Sequence, residues 1–421
     1  MFNFFKNEKF MLYHLITIFL FLFTSIVSAE IYEIGPSKNS QEELQELMIL
    51  VNPGDTIILK EGVYELTDGL SITHSNVTIK GEGMHKSILD FSKQISGAQG
   101  LLVSSDQVVL KDFAVIDSKG DGIKVVGADG IYIVNVRAQW RGEPKTSNGA
   151  YGFYPVQSKN VYIEGCIAIG ASDAGIYVGQ SENIIVRNNI AEYNVAGIEI
   201  ENSYYADVYE NIVRFNTGGI LVFDLPDLPQ QGGHSIRVFD NKSIKNNTTN
   251  FAPKGNIVST VPRGTGILVL ASKNVEIFEN EIRDNATINL AIVSYFEETD
   301  DVNYYPHPRT ISLYKNDFSN SGFDPDINSN EMAKILSEIA GEKMPDIFWD
   351  GILPLKQIFF GQREDERIFA KDNGNASYLS INPIKYFLPF IDPANRDLGE
   401  FDQMPSPLKA VEINIPLERI N

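Results

Sequence analysis

Only one cysteine, Cys166, occurs among the 421 residues, so no internal disulfide can staple this chain. Stability must come from packing and hydrogen bonding alone. Histidine is scarce too, at five residues. His14, His74, His85 and His307 are scattered, which leaves no transition-metal site legible. A haem attachment motif, a Gly-x-Ser-x-Gly elbow and a phosphate-cradling loop are all missing. Positive charge is short: 35 Lys and Arg stand against 55 Asp and Glu, a formal net charge of −20. That balance disfavours nucleic acid, whose binding relies on neutralising phosphates. A polyanionic glycan would likewise need a local basic patch.

The longest apolar run lies at the N-terminus, from Leu15 to Val27, behind Lys6 and Lys9 and ahead of Val27-Ser28-Ala29. It is too short to span a bilayer, and the small residues suit cleavage after Ala29. Residues 1–29 therefore read as a secretory signal peptide. An exported bacterial protein of the periplasm or the medium is expected.

What the chain has in abundance is repetition. Val161 to Asn183, Ile184 to Tyr205 and Ala206 to Leu225 carry the same pattern, anchored by Gly175, Gly197 and Gly219 at a spacing of about 22 residues. After each glycine, apolar and variable positions alternate, as in Ile176/Val178, Ile198/Ile200 and Ile220/Val222. Period-two alternation marks a strand with one buried face. A second strand opens each coil (Val161/Ile163, Ile184/Val186, Ala206/Val208), and a shorter third passes through Ile167/Ile169. One coil cannot bury its apolar face alone, whereas stacked parallel strands can. The leucine and asparagine spacing of leucine-rich repeats is absent. The pattern predicts an all-β chain, a right-handed parallel β-helix of about eight to ten coils.

The same register predicts a stacked amide ladder. Asn189, Asn211, Asn241, Asn280 and Asn316 follow the opening strands at equivalent places, and Asn194 and Asn216 precede the anchor glycines. Asparagine suits tight corners, and its amide can bond to the coils above and below. Cys166 stands at the ladder position, as a small buried hydrophobe. Leu44, Leu47, Met48 and Val51 form a helical pattern that caps the first coil, ahead of a strand at Thr56 to Leu59. The β-helix is expected over 30–327. A helix near Asn330 to Gly341 and an irregular, aromatic-rich extension then fill 328–421, either capping the far end or wrapping the outside.

Solenoids carry function on insertions. The repeat is interrupted at one corner by Arg141 to Asn148 and by Asn247 to Arg263, and at another by Asp224 to His234. These loops are expected to wall a cleft above the outward positions of the post-glycine strands. Tyr151, Tyr154, Tyr177, Gln157, Gln180, Asn202 and Arg141 are the candidate substrate-binding residues, because rings stack on sugar faces while amides and charges take hydroxyls. Glu199 and Glu201 lie two residues apart on one strand, so both point to one face, roughly 6.5–7 Å apart, a separation that suits acid and base. Asp224 and then His234 follow as candidate catalytic groups. With Asp224 and Asp173 nearby, the glutamates could instead collect a calcium ion through oxygen ligands. A lyase would instead want a basic group, for which Arg141 and Lys124 are nearest.

The segments Asn148 to Ser158 (NGAYGFYPVQS), Gly170 to Ser181 (GASDAGIYVGQS), Asn194 to Ser203 and Asn216 to Pro226 (NTGGILVFDLP) resemble an exported bacterial subfamily of the pectate-lyase-like β-helix superfamily, one of unassigned activity. The resemblance implies polysaccharide lyases, epimerases and hydrolases as relatives. Members of that subfamily tend to be encoded beside a dihaem c-type cytochrome, which implies a periplasmic or surface setting. The signature residues of polygalacturonases and of calcium-dependent pectate lyases are absent, and Gly233-His234-Ser235 is a superficial echo. The chain is similar as well to the β-helix protein that matures the copper centre of nitrous oxide reductase, but its shortage of histidine, cysteine and methionine argues against copper handling. The expected function is binding, with cleavage or epimerisation, of an extracellular polysaccharide. The alternative is a non-enzymatic scaffold docking a protein such as a cytochrome.

Overall fold

A computed structural model describes residues 29–341, 343–386, 390–397 and 404–420. The expected signal peptide falls outside these residues except for Ala29. No helix among the described residues is long and apolar enough to cross a membrane.

The coils build three parallel sheets. An opening sheet of twelve strands runs from Ile31–Ile34 to Ile368–Lys371, and a short sheet of ten runs from Gly62–Glu65 to Asp317–Ser319. The third, here the glycine sheet, runs from Leu70–Ile72 to Tyr378–Ile381 and ends on an antiparallel pair with Ala394–Asn395. The fold is a right-handed parallel β-helix. Pairing advances one coil at a time, so Ile176 faces Ile198, Ile198 faces Ile220, and Ile220 faces Ile267. These side chains fill one continuous dry interior with Ile163, Val186, Val208 and their equivalents, all fully buried.

Two amide ladders turn the corners. In one, each buried asparagine accepts from the backbone N–H and side-chain amide of the coil before it, through Asn189, Asn211, Asn241, Asn280, Asn316 and Asn373. Cys166 begins this row: its N–H donates to Asn189 at 2.8 Å, and burial pushes its thiol up to about 12. The other ladder joins Asn194, Asn216, Asn246 and Asn285. Corners inside a dry stack carry backbone groups that water cannot reach, and side-chain amides satisfy them.

Only the far end departs from the expected boundaries. The helix Ser40–Leu50 buries Leu44 and Met48 over the first coil, and Gln45 accepts from Ser71 N–H at 2.9 Å. At the far end the ladders do not stop at residue 327. Ile347–Trp349 and Tyr378–Ile381 extend the glycine sheet, and Ile368–Lys371 extends the opening sheet. The periodicity fades there because the helix Glu331–Ala340 is inserted within a coil, between Asp317–Ser319 and Ile347–Trp349. Residues 408–419 wrap the outside, crossing the opening sheet from the level of Glu276 to that of Thr78. Val411, Ile413, Ile415 and Ile420 cover Val109, Tyr132, Tyr162 and Ile185.

Candidate functional site

The outward side chains of the glycine sheet form rows along the solenoid. One row carries Lys124, Tyr154, Tyr177, Glu199 and Leu221 on successive coils, and its neighbour carries Gly179, Glu201 and Phe223. The three insertions leave from the two corners that flank this face, as the repeat interruptions indicated.

Loop 247–263 does more than wall the face. Val258 and Val261 pack over Tyr177, Ala196 and Leu221 in a second apolar cluster, so the loop is a roof. Asn256 pins it down, with Nδ2 donating to Asp173 Oδ2 at 2.9 Å. The loops 224–233 and 295–308 close the other edge together: Tyr304 donates to the Asp224 carbonyl at 2.6 Å and Thr299 to Asp227 at 3.1 Å. The helix Glu331–Ala340 covers the later coils through Leu336 and Ala340. From Tyr177 onward the floor is sealed, while Asp121, Lys124, Tyr151 and Tyr154 remain half-buried at the open end.

Beneath the roof's edge lies a cluster of rings and carboxyls. Tyr151, Tyr154 and Tyr177 have ring centroids 4.4, 4.7 and 5.0 Å apart. Tyr177 donates to Glu201 Oε1 at 2.6 Å, and Tyr151 donates to Asp173 Oδ2 at 3.3 Å. Gly179 makes the first contact possible, since a Cβ there would collide with the Tyr177 ring. Glu199 is 1% exposed, and its Oε2 has no hydrogen-bond partner.

Burial dominates the electrostatics. It pushes Glu201 up to about 7, with the charges of Asp173 and Asp224 adding to it and the Tyr177 hydrogen bond opposing it. Asp173 rises to about 6, mainly by burial, against its bonds from Asn256 and Tyr151. Glu199 rises further, through burial and then the charges of Asp173 and Glu201. Burial also raises Tyr177, whose hydroxyl stays protonated as a donor. A carboxyl near neutrality beside a fixed donor can take or give a proton at physiological pH.

Several sequence-selected residues lie elsewhere. Asn202 is wholly buried: Nδ2 donates to the carbonyls of Leu225 and Gln230, both at 2.8 Å, and Oδ1 accepts from Leu225 N–H at 2.8 Å. It anchors loop 224–233 and has no capacity left for a sugar. Gln157 and Gln180 occupy the matching corner, with φ of 53° and 51°, beyond the ends of the strands that make the floor. Asp224 accepts from Gly233 N–H at 2.7 Å and ties the two ends of the same loop, while burial raises it to about 6. His234 belongs to the opening sheet, where its ring stacks on Tyr204 at 4.5 Å; burial and Lys273 hold its pKa down. Arg141 bridges Asp117 and Asp90 at the earlier corner. The structure thus brings together Tyr151, Tyr154, Tyr177, Glu199 and Glu201, and separates them from His234 and Arg141.

Asp173, Asn256 and Asp121 are the partners that sequence reasoning undervalued. Asp173 entered only as a candidate calcium ligand, and Asn256 lies 83 residues from the aspartate it binds. Calcium does not fit what is present. The carboxylates of Glu201, Asp173 and Asp224 are engaged by Tyr177, by Asn256 and Tyr151, and by Gly233. Among the described residues no three His, Cys, Asp or Glu side chains converge to hold an ion.

Comparison with known proteins agrees with this architecture. The family model for the right-handed beta helix region matches residues 61–227. No curated protein sequence matches the chain. Among solved structures, the A-module of Azotobacter vinelandii mannuronan C-5 epimerase AlgE4 superposes with a TM-score of 0.53 at 15% identity, covering 79% of this chain and 89% of that one. The AlgE6 A-module of the same organism gives 0.49 at 15% identity, over 83% and 95%. Pectate lyase Pel9A gives 0.40 at 16% identity, over 77% and 76%. At such identity the likeness to the AlgE4 module speaks of the fold alone. Nothing in these matches bears on a cytochrome partner.

Proposed function

Taking the chain as a right-handed parallel β-helix of the pectin-lyase-like superfamily, we propose that it binds an extracellular polysaccharide along the outer face of the glycine sheet and cleaves or epimerises it there. The observation that carries this reading is the packing of three tyrosine rings, two of them half-buried at the open end, with Glu201 and Asp173 beneath the edge of a roofed face. Rings offer apolar faces to a pyranose, and the carboxyls accept from its hydroxyls. That several solved β-helix neighbours are named for action on polysaccharides supports the reading by analogy.

Glu201 is the proton-transfer group of this proposal. Tyr177 holds it in place, and its raised pKa suits exchange near neutrality. Glu199 supplies a second carboxyl from the same strand. Residues 1–29 are proposed to direct export, which would bring the protein to its substrate.

A glycan array probed with the mature protein and with a Glu199→Gln/Glu201→Gln variant tests this. Binding by the parent that weakens in the variant supports the site. Binding of equal strength by both proteins moves the site elsewhere, and the absence of any binding removes the proposal.

A further inference from the structure

The far end of the solenoid holds a space apart from the glycan face. Trp349 and Ser380 are partners in the last parallel rungs of the glycine sheet, and Ser380 pairs in turn with Asn395. With the helix Leu355–Phe360 and the segment that leads through Arg367 into Ile368–Lys371, they border a cavity of about 330 Å³. Trp349 stands five strand spacings from Tyr177, about 24 Å along the axis.

The wall of this cavity is sorted by charge. The chain carries 55 acidic side chains against 35 basic ones, yet no carboxylate lines the cavity and one guanidinium does, that of Arg367. Every other arginine among the described residues meets an acid, an acceptor or an aromatic ring. Arg367 has none of these. Its neighbour Glu366 is engaged elsewhere: Gln357 Nε2 donates to Oε2 at 2.6 Å, and Arg363 Nε lies 4.0 Å from Oε1. Gln362 takes the Glu366 carbonyl at 2.8 Å.

The rim adds further donors. Asn382 and Asn395 each spend Oδ1 on a backbone N–H, from Lys385 and Asp397, both at 3.1 Å, and both Nδ2 groups are left without a partner. Inside, Trp349 is 8% exposed, and its buried indole N–H has no acceptor. Orphaned buried donors are uncommon, and a negative group in the adjoining space lessens their cost. Leu353, Ile358 and Ile384 supply apolar surface beside the donors.

We infer that this cavity binds a small carboxylate of single-ring size, with its charge on Arg367 and the asparagine amides and its ring on the apolar wall. The volume lies at the low end for ligand sites, room for one ring and not for an oligosaccharide. A guanidinium presents paired N–H groups that match the two oxygens of a carboxylate. Sugar acids and aromatic acids share this chemistry. The assignment is independent of glycan binding on the glycine sheet.

Titration calorimetry with the mature protein at neutral pH compares glucuronate with glucose, and benzoate with benzamide. One acid is expected to bind at least about tenfold tighter than its neutral counterpart, the size of one charge-assisted contact. Its binding should weaken with added salt and shift the emission of Trp349, one of two tryptophans in the chain. A preference confined to glucuronate assigns a sugar acid, and one confined to benzoate an aromatic acid. Arg367→Gln breaks no bond within the protein, so it should fold as the parent does and lose the preference. Arg367→Lys keeps the charge without the fork and should fall between the two. Equal binding of acid and neutral counterpart, undiminished binding in Arg367→Gln, or no binding of either acid at about 10 mM would each overturn the site. On the glycan array Arg367→Gln should match the parent, and a loss there would overturn the independence of the two sites.

Discussion

The hydroxyl of Tyr177 donates to Glu201 across one coil step at 2.6 Å, and Gly179, in register with Glu201, leaves the space through which the ring reaches it. The contact fixes a buried carboxyl that burial pushes up to about 7. Since the bond opposes that rise, Tyr177→Phe should move the Glu201 titration upward. An activity profile governed by Glu201 would shift its limb to higher pH in this variant. A profile that stays in place would exclude Glu201 as the titrating group.

Gly179→Ala tests the same contact sterically. The added methyl meets the Tyr177 ring, so the ring must swing away and Glu201 loses its donor. The expected cost is about 1–3 kcal/mol, typical of overpacking, together with reduced glycan binding. Urea denaturation and calorimetry report the two effects separately. Full binding by a stable Gly179→Ala protein would show that the Tyr177–Glu201 geometry is dispensable.

The acid cluster makes stability depend on pH in a direction opposite to most salt-bridged proteins. Asp173 and Glu201 rise from 3.8 and 4.5 to about 6 and about 7, and Glu199 rises further. The folded state therefore holds protons that the unfolded chain releases. The resulting stabilisation is complete below about pH 4 and is lost as pH climbs through about 6 to 7. Glu199→Gln, which cannot ionise, should be more stable than the parent at alkaline pH and close to it in acid. Denaturation at both pH values decides the matter, and a destabilised variant at alkaline pH would show that the buried charge is compensated.

Much of this architecture was legible in the sequence, because a solenoid writes its contacts locally. Gly175, Gly197 and Gly219 announce the coil, and the inward and outward residues alternate as the strands require. The asparagine ladder was visible for the same reason: Asn189 and Asn211 are 22 residues apart in sequence and hydrogen-bonded in space. What stayed hidden depends on distant pairs. Asn256 gives no sign that it pins the roof to Asp173, and Ile413 gives none that it covers the opening sheet. Asn202 was ambiguous because a corner asparagine serves a loop or a ligand with the same residue type. The later coils were missed because the inserted helix breaks the period.

Asn211→Ala should reveal how much the ladder contributes. Its Nδ2 donates to the Val186 carbonyl and to Asn241 Oδ1, both at 2.9 Å, and its Oδ1 accepts from the backbone and side chain of Asn189, both at 3.0 Å. Alanine leaves the Asn189 N–H buried without a partner and removes the amide's bond to the Val186 carbonyl. At about 1–3 kcal/mol for the orphaned donor, the loss is at least of that size. Chemical denaturation measures it, and a change below about 0.5 kcal/mol would mean that water takes over the amide's role.

Removing residues 404–421 separates the outer strap from the solenoid. The strap pairs with no strand. It lies across the opening sheet, with Leu408 N–H donating to Glu276 at 3.0 Å, Val411 N–H to Asp207 at 3.1 Å, and Tyr132 to the Asn414 carbonyl at 3.1 Å. Arg419 anchors its far end with bonds to Asn76, Val77, Thr78 and Gln107. From the level of Glu276 to that of Thr78 is seven strand spacings, about 34 Å, which an extended segment of this length just covers. The coils keep all their own ladders without it, so the truncated protein should fold with an unchanged far-ultraviolet spectrum. It should also expose Val109, Tyr132, Tyr162 and Ile185, bind a hydrophobic dye and lose about 4–6 kcal/mol, given four half-covered aliphatic side chains. The glycine sheet lies on another face, so glycan affinity should stay within about twofold of the parent. A truncated chain that fails to fold would make the strap part of the solenoid's cohesion. One that folds but loses glycan binding would place the binding face under the strap, on the opening sheet.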